Sequence, residues 1–263
     1  MWDWDRWLRR GAVERDPDDD PAVSASARDG LVLGAHWGFL AFFLGIGGYH
    51  LITLVMTAAL SGHVGQFDPL ELKTLGPLLL LAFLPNLFLG LGPVVGSKLW
   101  GLGLRADFGL LPTLRDLKIG LACGGFALLA GYLLNLVLLA VYGADGMDDN
   151  PLTELSTDLG DNVVWLVLAA IVVVIGAPLT EELLIRGTLW SGLERYRVPT
   201  WVILVLTSVV FALLHGEPTR TIALFGQGLA IGAARYFTGR VSASVVAHAA
   251  NNLPPALLLF SAN

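Results

Sequence analysis

The stretch "VVWLVLAAIVVVIGAPLTEELLIRGTLW", residues 163–190, decides the fold. Its first half is apolar enough to lie in a lipid bilayer, yet Glu181, Glu182 and Arg186 follow directly. An ionisable side chain near the bilayer centre costs at least a few kcal/mol, so such residues face a protein interior or a wet cavity and mark function. The segment therefore reads as a membrane helix that turns polar groups inward.

The rest of the chain agrees with that reading. Of 263 residues 55% are hydrophobic and 14% charged, with mean hydropathy +0.68. Charged residues make up about a quarter of a soluble domain, so lipid is the expected solvent here and a soluble α/β domain is set aside. The net charge of −6 gathers in two short segments and forms no face, and nothing points to nucleic acid. The single cysteine, Cys123, excludes an intrachain disulfide and sits in an apolar run, where a packed thiol is expected.

Seven stretches are long enough to span, at about 20 residues each. They fall near 31–60, 75–98, 118–142, 162–195, 199–216, 219–236 and 241–261. The expected fold is thus all-α: a polytopic bundle of about seven membrane helices with the catalytic helices in the C-terminal half. Residues 1–30 form a polar segment whose Trp2, Trp4, Trp7 and Leu8 suit an anchor in the membrane interface, and which lacks the apolar core of a signal peptide. Residues 31–263 are treated as one membrane domain, with 31–160 accessory and 161–256 the core. Segment 162–195 exceeds one perpendicular span, so tilt or a bend near Gly176 and Pro178 is expected.

Basic residues set the orientation, because cytoplasmic loops are enriched in them. With the N-terminus inside, the cytoplasmic segments hold Arg6, Arg9, Arg10, Arg15, Arg28, Lys98, Arg105, Arg115, Lys118, Arg195, Arg197, Arg235 and Arg240. The outer connectors hold only Lys73 and Arg220, and the acidic loop 143–161 has no basic residue. An N-in, C-out bundle follows.

Three polar constellations lie inside the membrane. In E-E-x-x-x-R, Glu182 and Arg186 share a helix face one turn apart and can pair, whereas Glu181 points about 100° away and lacks that partner. In "FALLHG", Phe211 and His215 share a face, with Phe211 read as packing. In "VVAHAANN", His248 and Asn252 are likewise four apart, with Asn251 turned aside. Pro178 frees a backbone carbonyl before the first constellation, and Pro254 and Pro255 are expected to break or kink the last helix just past Asn252. Irregular backbone at membrane depth is tolerated where it is buried or lines a wet cavity, so both breaks point to one polar cavity. His36 and His50 are read as interhelical hydrogen bonders, and Glu217 as solvated.

A glutamate, two histidines and an amide suffice for hydrolysis by activated water. No G-x-S-G, H-E-x-x-H or membrane G-x-G-D is present, which leaves a glutamate-based or a metal-based hydrolase. Zinc on the two histidines and Glu181 is an allowed ligand set. Two readings from other classes stand beside it: a binding or immunity protein that holds a peptide or lipid without cleaving it, and a proton- or ion-coupled transporter.

E-E-x-x-x-R, F-x-x-x-H and H-x-x-x-N, in that order on successive helices, resemble the CPBP intramembrane proteases, which include type II CAAX prenyl endopeptidases and bacterial immunity-type membrane proteases. One such motif would be weak, but three in order are specific, and "GLAIGAARYFTG" between them is also similar. The resemblance implies a glutamate-dependent endopeptidase without metal or other cofactor. It implies Glu181 as catalytic base, His215 as water-orienting, and His248 with Asn252 on the oxyanion side. Glu182, Arg186 and Phe211 take supporting places. The implied partners are the lipid bilayer and a membrane-associated peptide or protein, prenylated or unprenylated. The implied location is a multi-pass position, taken as a bacterial inner membrane.

Overall fold

The computed structural model describes residues 30–64, 83–143 and 162–260. The expected interfacial anchor at Trp2, Trp4 and Trp7 and most of the acidic loop lie outside the described residues, as does the first part of the second apolar stretch. Helices occupy all seven expected places. They are α1 Trp37–Val64, α2 Leu84–Trp100, the short α3 Leu104–Phe108, α4 Leu114–Tyr142, α5 Val163–Arg195, α6 Thr200–Leu214, α7 Thr221–Thr238 and α8 Val241–Leu257. The protein is an all-α membrane bundle.

By length and apolarity, Trp37–Met56, Leu114–Tyr142 and Val163–Arg195 can each cross a bilayer. Helix α6 is apolar but has 15 residues, or about 22 Å at 1.5 Å per residue, short of the ~30 Å hydrocarbon core. Surface and interior are chemically inverted relative to a water-soluble protein. Phe43, Leu54, Phe126, Tyr132 and Val141 are exposed, while Asp116, Glu182, Arg186, Arg235 and His248 are buried. An outer surface of that kind is stable against lipid, and the chain is an integral membrane protein.

Two expectations about element ends are corrected, together with the readings of His36 and His50. Residues 31–36 do not begin the first helix. They form a hairpin of β1 Leu31–Val32 and β2 Ala35–His36, turned through Leu33 and Gly34, both with positive φ. His36 consequently makes a local bond, accepting the Gly38 N–H on Nδ1 at 3.1 Å beside the Trp37 ring, and not an interhelical one. Burial first, then the Arg195 cation, holds this imidazole below the ordinary histidine range, which suits an acceptor nitrogen. His50 is exposed and packs edge-on against its neighbour Tyr49. The helix break expected past Asn252 is also absent: α8 continues through Pro254 and Pro255 to Leu257. Both prolines lie in its closing turns, where their fixed φ is still helical and only the end of the hydrogen-bond ladder is lost.

Close approach of backbones holds the bundle together. Helix α1 packs on α2, and α4 packs on both α7 and α8. At Gly124 of α4 an added Cβ would collide with the Ala247 carbonyl of α8, so only glycine lets these two helices meet as they do. A polar clamp closes the same end. Thr113 and Asp116 form a reciprocal capping box at the start of α4. The buried Asp116 Oδ2 also accepts from Arg240 Nε at 2.9 Å and from Ser242 Oγ at 3.1 Å. Arg240 donates further to the carbonyls of Gly109 and Leu111. The turn between α7 and α8 is thereby fastened to the beginning of α4.

Candidate active site

The helix that carries the first motif is not a regular α-helix. It is π-helical over Val172–Gly176, α-helical over Ala177–Glu182, and π-helical again over Leu183–Leu189. Pro178 explains the first irregularity. It has no N–H for the carbonyls a turn earlier, and a proline is accommodated where a helical segment restarts. The Val173 carbonyl, five residues before Pro178, instead accepts the Asn252 Nδ2 proton at 3.0 Å. Where tilt or a bend was expected near Gly176 and Pro178, the helix has a π-segment, and the freed carbonyl accepts from a residue of the third motif.

Glu182 sits at the centre of the cluster with no exposed surface. Its Oε1 accepts from Arg186 Nη1 and from His248 Nδ1, each at 3.0 Å. Arg186 is equally buried and donates its Nη2 to the Gly228 carbonyl at 2.8 Å. Its guanidinium also lies 4.8 Å over the Phe211 ring. Gly228 fits closely there, since an added Cβ would sit 3.0 Å from Phe211 Cδ1 and 3.3 Å from Ser208. Phe211 in turn packs against His215 at 4.5 Å and His248 at 5.4 Å between ring centroids. One phenyl ring thus joins all three motifs.

Each histidine has a defined tautomer. A carboxylate paired with a guanidinium only accepts, so His248 carries its proton on Nδ1. A carbonyl likewise only accepts, and His215 Nδ1 lies 2.8 Å from the Phe211 carbonyl. In both rings Nε2 is the nitrogen left for chemistry. Glu181 is half-buried and makes no hydrogen bond or ion pair with any described residue. The two adjacent glutamates thus differ fully: one is locked and the other is not.

The asparagine is also oriented. Gln227 Nε2 donates to Asn251 Oδ1 at 3.4 Å, Asn251 Nδ2 to Asn252 Oδ1 at 3.0 Å, and Asn252 Nδ2 to Val173. This chain of amides fixes which end of Asn252 is the donor and leaves it a second N–H. Gln227 and Asn251 were not among the expected site residues; the spacing that turned Asn251 from His248 hid its bond to its own neighbour.

Arg235 is the larger omission. Counted by sequence as a cytoplasmic charge, it lies inside α7 and is buried. It donates Nη1 to the Arg186 carbonyl within the second π-segment, and Nη2 to Ser191 Oγ at 3.2 Å. Its guanidinium lies 5.2 Å from the centroid of the Trp190 ring. Glu217, expected to be solvated, instead pairs with Arg220 and both are partly buried. Among the described residues no group of three or more His, Cys, Asp or Glu side chains is arranged to hold a metal ion, so the zinc set has no donor cluster here.

The fold and this cluster define an integral membrane helix bundle with a buried polar centre assembled from α5, α6 and α8. Residues 163–254 match the family model described as type II CAAX prenyl endopeptidase Rce1-like, so this segment is similar to that peptidase family. No curated protein and no solved structure matches the chain.

Proposed function

We propose that this protein is an intramembrane endopeptidase that hydrolyses a peptide bond in a membrane-associated peptide by means of water activated by Glu181. The observation that carries this reading is the Glu182–His248 bond, which brings the first and third motifs into one cluster beside a carboxylate left free. Glu181 takes a proton from water, and the oxygen adds to the scissile carbonyl while His215 Nε2 holds that water in line. The oxyanion accepts from the second N–H of Asn252 and from His248 when its Nε2 is protonated, a charge that Glu182 offsets. The proton held by Glu181 then passes to the departing amine as the C–N bond breaks. Oε2 of Glu182 is buried without a described partner and is suited to accept from a water or a substrate N–H. A cytoplasmic N-terminus follows from the distribution of the basic residues, and the apolar composition suits a bacterial inner membrane.

The test is cleavage of a mixed library of prenylated and unprenylated peptides by the purified protein in detergent, beside Glu181→Gln and with EDTA or zinc added. Cleavage that is lost in the variant and indifferent to EDTA supports the mechanism and narrows the substrate. Wild-type rates in Glu181→Gln would refute it, and loss of wild-type activity to EDTA would transfer the chemistry to a metal.

A further inference from the structure

Helix α7 has a second face, turned away from the polar cluster. Gly228, Gly232 and Arg235 face Arg186, whereas Leu229, Ala233 and Phe237 lie on the other side of the helix and, with α4, line a groove of about 530 Å³. Its α4 wall is Ala122, Cys123 and Phe126. The concavity arises because small side chains alternate with two phenylalanines, and the lining is apolar throughout.

The mouth of the groove is not apolar. Arg115, Lys118, Ala122, Phe126 and Ala130 recur at three- and four-residue spacing along α4, so two cations and the groove wall share one face. Arg115 Nη2 donates to the carbonyl of Phe237 at 2.9 Å, which fastens it to the groove's end. Arg115 and Lys118 are both exposed, and the intervening Asp116 is buried and engaged by Arg240 and Ser242. Among the described residues, the positive charge of the mouth is therefore not compensated by an ion pair. From Lys118 to Ala130 the wall runs about 18 Å at 1.5 Å per residue, close to half of the ~30 Å hydrocarbon core. A cationic mouth at the membrane surface above an apolar groove one leaflet deep matches a lipid with a negatively charged headgroup.

We propose that the groove between α4 and α7 is an anionic phospholipid site, with one acyl chain along Ala122, Phe126, Leu229 and Ala233 and the phosphate held by Arg115 and Lys118. The site faces away from Glu181 and His215, so its occupant is not the peptide being cleaved. A lipid seated there braces α7, which carries Gly228 and Arg235 to the polar cluster.

Cys123, the only cysteine, is half-buried in the groove and reports occupancy directly. The delipidated full-length protein in detergent is labelled with N-ethylmaleimide in the presence of phosphatidylglycerol, phosphatidylcholine or inorganic phosphate. Phosphatidylglycerol is expected to slow labelling several-fold, and phosphatidylcholine and phosphate to have little effect. In Arg115→Gln/Lys118→Gln the difference between the two lipids should vanish. If that double variant fails to fold, Lys118→Gln alone, whose side chain bonds to no described residue, should weaken the preference. Equal protection by both lipids, or an unchanged preference in the folded variants, would overturn the assignment.

Discussion

Glu182 gives one oxygen to both Arg186 and His248, and all three groups are shut off from the surface. Removing one partner from such a set leaves an uncompensated buried charge, which typically costs about 3–5 kcal/mol. Glu182→Gln should therefore lower the unfolding midpoint in detergent markedly, because Arg186 loses its counter-ion and His248 the acceptor that fixes its ring. An unchanged midpoint would show that the pair adds nothing to stability. Glu181→Gln carries no such penalty, since that side chain bonds to no described residue. The pairing of Glu182 with Arg186 was legible from i, i+4 spacing alone. The bond to His248 was not, because 66 residues separate the partners and no local pattern links them.

At the scale of elements, the two π-segments of α5 decide where its side chains point. A π-turn adds a residue to each ring and leaves carbonyls in need of outside donors, and such insertions gather at functional sites. Asn252 serves the first segment and Arg235 the second. Arg235→Met would leave the Arg186 carbonyl without its buried donor, a loss of about 1–3 kcal/mol. Arg235→Lys restores one donor but not the second bond to Ser191 or the stacking on Trp190. The unfolding midpoint should therefore fall further for methionine than for lysine. Equal midpoints in both variants and the wild type would deny Arg235 this role. Sequence gave no warning of it, because an arginine three residues before the end of a helix has the same local signature whether it snorkels outward or folds inward.

At the scale of the molecule, the start of α4, α3 and the turn between α7 and α8 meet at one end, joined by Asp116 and Arg240. Arg115 and Arg240 are at this end, and the side of the membrane it occupies is a testable property. In a Cys123→Ser background, Asp148→Cys should react with an impermeant maleimide from outside intact cells. Arg195→Cys should react only after permeabilisation. The reverse pattern would invert the orientation.

Hydropathy and spacing by themselves determined that this chain is a helical membrane bundle, where its helices fall, and which three motifs carry polar groups into it. Those are properties of apolar run length and of the 3.6-residue period, both local. Only the tertiary structure decided that Glu182 belongs to His248 as much as to Arg186, that Asn252 fills the carbonyl opposite Pro178, and that Arg235 is interior. Each of these is a hydrogen bond between distant segments, made because a buried polar group must find a partner and a neighbouring helix offers one.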